Sequence, residues 1–243
     1  MIRLVVTLTL RELVVQRRSL LLVAFALLPV LLASIFRIAG IDETPQRFAT
    51  DLLVFIVHLV LPLTALVLGT AALGTEFEDG TAVYLLSKPI PRWKVFAGKL
   101  IAAWGATAVV VCSAALVTGT IVLAGERQEG IIPAFTVAAA AGSLAYVALF
   151  VALTTVTGRA LIIGLVYVFV WEAIFSNFAP GTQLFSVREY TLGIAELLAS
   201  TPAHTFDAEL GPYQSTLMLA GVFATATALG IDRLASYEIG VSG

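Results

Sequence analysis

Five stretches of the chain run 18 to 29 residues without one charged side chain, and a sixth of 20 residues is broken only by Glu172. They are Ser19 to Phe36, Leu52 to Thr75, Leu100 to Gly125, Gly130 to Gly158, Ala160 to Ala179 and Leu210 to Ile231. A helix needs about 17–25 apolar residues to cross a hydrocarbon core of about 30 Å. Each run reaches that length, so the pattern predicts an all-α, polytopic membrane protein. The expected spans are 19–36, 52–75, 100–125, 130–158, 160–179 and 211–231, within one transmembrane domain over 1–243. Composition agrees: 12% of residues are charged, against about 25% in soluble domains. That is too little to solvate a globule of this size, which makes a soluble enzyme or a nucleic-acid binder a poor reading.

Six spans put both termini on one side, and the basic residues choose the side. With the N-terminus inside, ten of the 14 Lys and Arg fall on internal segments and four outside: Arg37, Arg47, Arg127 and Arg188. Nine acids fall outside and six inside. The expected orientation is therefore both ends in the cytoplasm. The first run is of spanning length and its basic leader is long and apolar, which favours an uncleaved first span over a signal peptide. The two halves show no internal repeat of the kind many secondary transporters carry.

Ahead of the first span, residues 2–18 form an amphipathic pattern. Arg3, Thr7, Arg11, Arg17 and Arg18 share one helical face, while leucines and valines fill most of the rest. Such a helix suits a membrane surface, with Arg11, Arg17 and Arg18 toward headgroup phosphates. Glu12 and Gln16 fall on the opposite side and call for a protein neighbour or an imperfect amphipath. A basic flank that only sets topology is the plainer alternative.

The most informative stretch is 73–100, LGTEFEDGTAVYLLSKPIPRWKVFAGKL. Three acids, Glu76, Glu78 and Asp79, close the second span. Gly80 and Thr81 break the pattern, and Thr81 can cap the turn that follows. Residues 82–87 then read as a short helix with an apolar centre, Val83, Tyr84, Leu85 and Leu86, which Pro89 and Pro91 stop. Arg92, Trp93, Lys94 and Lys99 are placed to anchor the third span at the interface. A connector can be a few polar residues. An apolar helix between charged flanks needs something to bury it: this protein, lipid or a partner.

The acid at the end of the second span, Gly80-Thr81, Leu85-Leu86, Ser87, Pro89, Arg92 and Gly98-Lys99 resemble the loop of the type-2 ATP-binding-cassette (ABC) permease family. The span count, the N-terminal helix and a helical external segment before the last span fit the same layout. The resemblance implies the membrane-spanning half of an ATP-driven transporter, most often an exporter, in the cytoplasmic membrane of a prokaryote. It implies a second permease subunit, identical in a homodimer, and two cytoplasmic ABC ATPase subunits. It also implies that the helix within 76–88 is the coupling helix, with Glu76, Glu78, Asp79, Gly80, Thr81, Tyr84, Leu85, Leu86 and Ser87 meeting the ATPase. No cofactor is expected on this chain, with ATP and Mg belonging to the partner. A phosphate-binding loop needs G-x-x-x-x-G-K-[ST]; here Gly98-Lys99 is followed by Leu100, and position 93 is Trp. The chain is thus not expected to be an enzyme by itself.

Two polar residues stand deep in apolar runs. Glu172 falls in the outer half of the fifth run, and buried acids usually face a cavity or a partner. It reads as a pathway or gate residue, or as one bonded to the outer segment where the span ends. His58 falls in the outer half of the second run, where it could approach Glu172; structure is the plainer role for a lone His. Pro62 is placed to kink that span, and Gly105, Gly119, Gly142 and Gly164 to admit close helix contacts. Cys112 reads as a packing residue, and no metal ligands cluster. Outside, Tyr190, Ile194, Leu197 and Leu198 recur at helical spacing and predict a short helix. The competing functions are a structural or regulatory membrane subunit and a stand-alone secondary transporter.

Overall fold

A computed structural model describes residues 2–15, 17–40, 43–78, 91–125, 130–175, 182–199 and 210–236. They are helical, with no strand among them. The helices are α1 (Ile2–Val15), α2 (Arg17–Ala39), α3 (Pro45–Phe55), α4 (Leu61–Glu78), α5 (Arg92–Val122), α6 (Ile131–Val156), α7 (Ala160–Val166), α8 (Val187–Leu198) and α9 (Pro212–Ala235). A π turn, Ile56–Val60, joins α3 to α4, and a π segment, Tyr167–Phe175, extends α7. Five helices are long and apolar enough to cross a membrane, and the run Ala160–Glu172 is a shorter sixth.

The spans expected at 52–75 and 100–125 begin earlier, at Pro45 and Arg92. Charged residues at their starts end the uncharged run without ending the helix. The α5 rod, 31 residues, is about 46 Å long at 1.5 Å per residue and outreaches a bilayer core. Conversely α1 stops at Val15, so Arg17 and Arg18 open α2. Local signals set most ends. Gly40 (φ 58°) and Gly125 (φ 88°) adopt the left-handed conformation just past α2 and α5, where a side chain would be strained. Pro45 and Pro212 open α3 and α9, where a missing N–H costs nothing.

At the centre lies α6, packed against α4, α5, α8 and α9. Tyr146, Phe150 and Phe135 from α6 and Phe96 from α5 are fully buried. Both α1 and α2 lie against α5, and among the described side chains of α1 Thr9 and Leu13 are buried, while Thr7, Leu8, Arg11 and Glu12 are exposed. A satellite cluster joins Phe36 to Phe48, stacked at 4.1 Å, beside Ala49, Leu52 and Val122. Its end of the bundle is called apical here, and the end carrying segment 79–90 basal. The outward surfaces of α2, α7 and α9 carry exposed leucines, isoleucines and valines, as lipid-facing helices do.

Glycine contacts divide the expected set. A side chain at Gly142 would strike Thr191 of α8, one at Gly164 would strike Leu66, and one at Gly119 would strike Ile132. Gly105 meets nothing within 4 Å, so it is not a close-contact site; it borders an open groove beside α1 and α2. Gly230, by contrast, lies directly against the Phe96 ring. Gly230→Ala is expected to cost about 1–3 kcal/mol by overpacking, whereas Gly105→Ala leaves stability unchanged or slightly raised. Thermal unfolding in detergent, followed by fluorescence-detected size exclusion, compares the two.

Candidate functional site

The polar residues collect in two places, one at the basal end and one within the bundle. At the basal end, the Lys99 ammonium of α5 pairs with the Glu76 carboxylate in the last turns of α4. Lys99 is 3% exposed, so it does not anchor at the headgroups as expected. Seven residues into α5 its side chain faces α4, where a carboxylate neutralises it. Glu12 of α1 lies close enough to Glu76 to repel it, which opposes the pull of Lys99.

Arg92, also expected at the interface, has a structural partner. Its Nη1 donates to the carbonyls of Leu234 at 2.9 Å and Ala235 at 2.7 Å. Those are among the last carbonyls of α9, which have no partner within their own helix, and a cation there complements the helix dipole. Trp93 is half exposed, with the Lys94 ammonium 5.4 Å from its ring. Arg11 is exposed. Both ends of segment 79–90 are thus fastened: α4 to α5 through Glu76–Lys99, and α5 to α9 through Arg92. Glu78 ends α4, while Asp79, Gly80, Thr81, Tyr84, Leu85, Leu86 and Ser87 lie outside the described residues. The side chains of Glu78, Arg17 and Arg18 do too.

Within the bundle, Glu172 sits in the π segment and is 2% exposed. Its Oε2 accepts from the Tyr146 hydroxyl of α6. Its Oε1 accepts from the Tyr167 hydroxyl at 3.1 Å and from the backbone N–H of Val187 at 3.1 Å. The carboxylate therefore occupies the N-terminus of α8, where free amides and the helix dipole favour an anion. Of the two sequence readings, bonding to the outer segment describes this geometry. The π register contributes directly. In an α-helix residues five apart point about 140° apart, but a π segment brings i and i+5 together, and Tyr167 meets Glu172.

His58 lies in the other π turn. Pro62 explains that turn: it lacks an N–H, and its ring would clash with the His58 carbonyl in a regular helix. The Leu61 N–H instead reaches back to Ile56, so the expected kink is realised as a π bulge. The ion pairs among the described residues do not join His58 to Glu172. The charge that reaches His58 is Arg188, and its Nε2 has no hydrogen-bond partner among the described residues. Arg188 is buried and donates to the Glu189 carboxylate at 3.1 Å.

The expected external helix is α8, and its first two turns are buried on every side. Ser186 caps it, accepting the Glu189 N–H at 3.4 Å, and Gly142 and Gly193 let α6 and α9 approach it closely. Sequence reasoning missed Tyr146, Tyr167 and Arg188, and it missed what Arg92 holds. Cys112 donates weakly to the Thr136 carbonyl at 3.5 Å. Among the described residues no group of three His, Cys, Asp or Glu is placed to hold a metal.

These features define a polytopic, all-helical membrane protein with a partly buried apical helix and a fastened basal loop. The family model described as ABC-2 family transporter protein matches residues 6–208. The chain belongs to that family, and so to the membrane components of ABC transporters. Comparison with curated proteins finds no match.

Two stability outcomes follow from the geometry. Glu172→Ala leaves two hydroxyls and an amide without their acceptor, at about 1–3 kcal/mol for each buried group. Glu172→Gln keeps an acceptor oxygen and is expected to cost clearly less in thermal unfolding. At the base, Glu76→Leu or Lys99→Met alone strands a buried charge and costs about 3–5 kcal/mol. The double variant is expected to recover most of that loss, which a double-mutant cycle measures.

Proposed function

We propose that the chain is the permease subunit of an ATP-driven exporter whose ATPase is a separate polypeptide. In this reading two copies pair in the cytoplasmic membrane of a prokaryote, both termini inside, with two ABC ATPase subunits beneath them. ATP and Mg belong to those subunits. The observation that carries the reading is the family match over residues 6–208. Its physical support is the fastening of the basal loop.

A coupling element must pass displacement on to the spans. The segment that would meet the ATPase, with Tyr84, Leu85 and Leu86 as its apolar contact, leaves α4 just after Glu76 and enters α5 just before Arg92. A push on it moves α4 and α5 together, because Glu76–Lys99 ties them. It also loads α9, because Arg92 holds two of its terminal carbonyls. Closure of the ATPase pair would then rock several spans at once between inward- and outward-facing states.

The test is affinity purification of the full chain from native membranes, with identification of what accompanies it. An ATPase carrying a phosphate-binding loop is expected, and Tyr84→Ala with Leu85→Ala should reduce its recovery about tenfold or more. An unchanged recovery rejects the coupling role of those residues. Absence of any ATPase favours the structural-subunit alternative.

A further inference from the structure

A groove of about 470 Å³ lies between α1, α2 and α5, walled by Leu10 and Leu13 of α1, Leu20 of α2 and Ala106 of α5, with Gly105 beside them. It continues into a second hollow of about 250 Å³ between α2 and α5, and the two share Val23, Val109 and Val110. Leu20 and Val109 are 68% and 70% exposed, so the groove opens on the surface that a bilayer covers.

Its dimensions select an occupant. From Gly105 to Val117, both on its walls, α5 advances 12 residues, or about 18 Å. That is close to the depth of one leaflet, half of a hydrocarbon core of about 30 Å. Spread over that length, the two volumes average about 40 Å² in cross-section. A helix with its side chains is about 10–12 Å across and occupies about 80–110 Å². A second helix can rest on the mouth of the groove but cannot fill it. A single extended hydrocarbon chain is the slimmer object that a bilayer supplies.

The walls ask for nothing polar. Ser113 is the one polar side chain among the described lining residues, and its hydroxyl donates to the Val110 carbonyl at 3.0 Å. A hydrocarbon chain seated there touches three helices, against one on a flat lipid-facing surface, and gains dispersion contacts accordingly.

The basal end of the groove supplies charge. Residues 2–20, which make up α1 and the start of α2, hold four arginines, Arg3, Arg11, Arg17 and Arg18, against one acid, Glu12. Arg11 directly follows the groove residue Leu10 and is exposed. Net positive charge beside the mouth of an apolar groove suits a headgroup whose phosphate is not cancelled by an amine.

We infer that this groove holds one acyl chain of an anionic phospholipid from the surrounding bilayer, with its headgroup toward Arg11. The inference needs only the membrane location of the chain and does not rest on the transport reading. The seated chain fills the space that α1 and α2 leave on α5.

The experiment uses the purified full chain in detergent with a trace of phosphatidylglycerol that carries a diazirine in one acyl chain. After illumination, peptide mapping locates the label. It is expected mainly within 20–30 of α2 and 105–117 of α5, and unlabelled phosphatidylglycerol should displace it about tenfold or more effectively than phosphatidylcholine. Gly105→Leu with Val109→Phe fills the groove and should cut the label there about fivefold or more. Gly221→Leu, on an exposed face of α9 where nothing lies within 4 Å, should leave it unchanged. Arg11→Gln should lower the preference for phosphatidylglycerol about threefold or more without moving the labelled positions, and Arg11→Lys should keep it. Equal displacement by the two lipids overturns the inference, as does label spread evenly over the exposed faces of α7 and α9. Both results come from the wild-type chain, so they decide the matter even where the filled variant does not fold. Groove residues shielded from label in a dimeric fraction and labelled in the monomer assign the groove to a second copy, and likewise overturn the inference.

Discussion

Inside a bilayer no water stands ready to satisfy a charged side chain, so the protein itself must complete every buried polar group. Glu172 is one group that it completes. Its carboxylate takes one hydroxyl from α6, one from its own π segment and an amide from the start of α8. Three elements distant in sequence meet on one acid. The arrangement fastens the start of α8 to the bundle, and the helix then packs through Thr191 on Gly142 and through Gly193 on Ser215.

The same economy recurs at Arg92 and Arg37. Glu172 sits at the N-terminus of α8, while Arg92 holds the C-terminal carbonyls of α9. Arg37 donates to the Ala124 carbonyl, just beyond the end of α5, at 3.0 Å. Acids at helix starts and bases at helix ends are what the helix dipole favours. A chain with only 12% charged residues thus places several of them where one side chain does two tasks. Each completes backbone groups that a helix end leaves over, and each joins elements that chain connectivity does not.

How legible this was differs by scale. Spans were readable because their signal is local: the uncharged runs need only be counted. Their ends were read less well, since Arg47 or Asp51 can sit on a helix that continues past the apolar region. Pro62 announced a disturbance in the second span, although only the backbone register makes it a π turn. The partners of Glu172 could not be read at all. Tyr146 lies 26 residues away on another helix, and Tyr167 is five residues away, the wrong side of a regular helix. The burial of Lys99 was hidden for a similar reason: a base beside a Trp near a span end reads as an interface anchor until α4 is packed against it.

Helix α9 brings the two polar clusters into one mechanical frame. Val222, which with Tyr167, Trp171, Phe185 and Tyr190 walls an aromatic cavity, lies 12 residues from Leu234, or about 18 Å along the helix. Between them Gly230 rests on the Phe96 ring of α5, a contact that admits no added atom and hence little sliding. When the first turn of α5 moves, α9 must follow it or lose hydrogen bonds to a charged donor, worth about 1.5–3 kcal/mol each. That is several times thermal energy, so following is the favoured response to a small displacement. A rigid helix shifted at its base also shifts at the cavity wall. The chain therefore carries, in one 24-residue helix, a direct route from the loop that would meet a motor to the wall of the aromatic cavity.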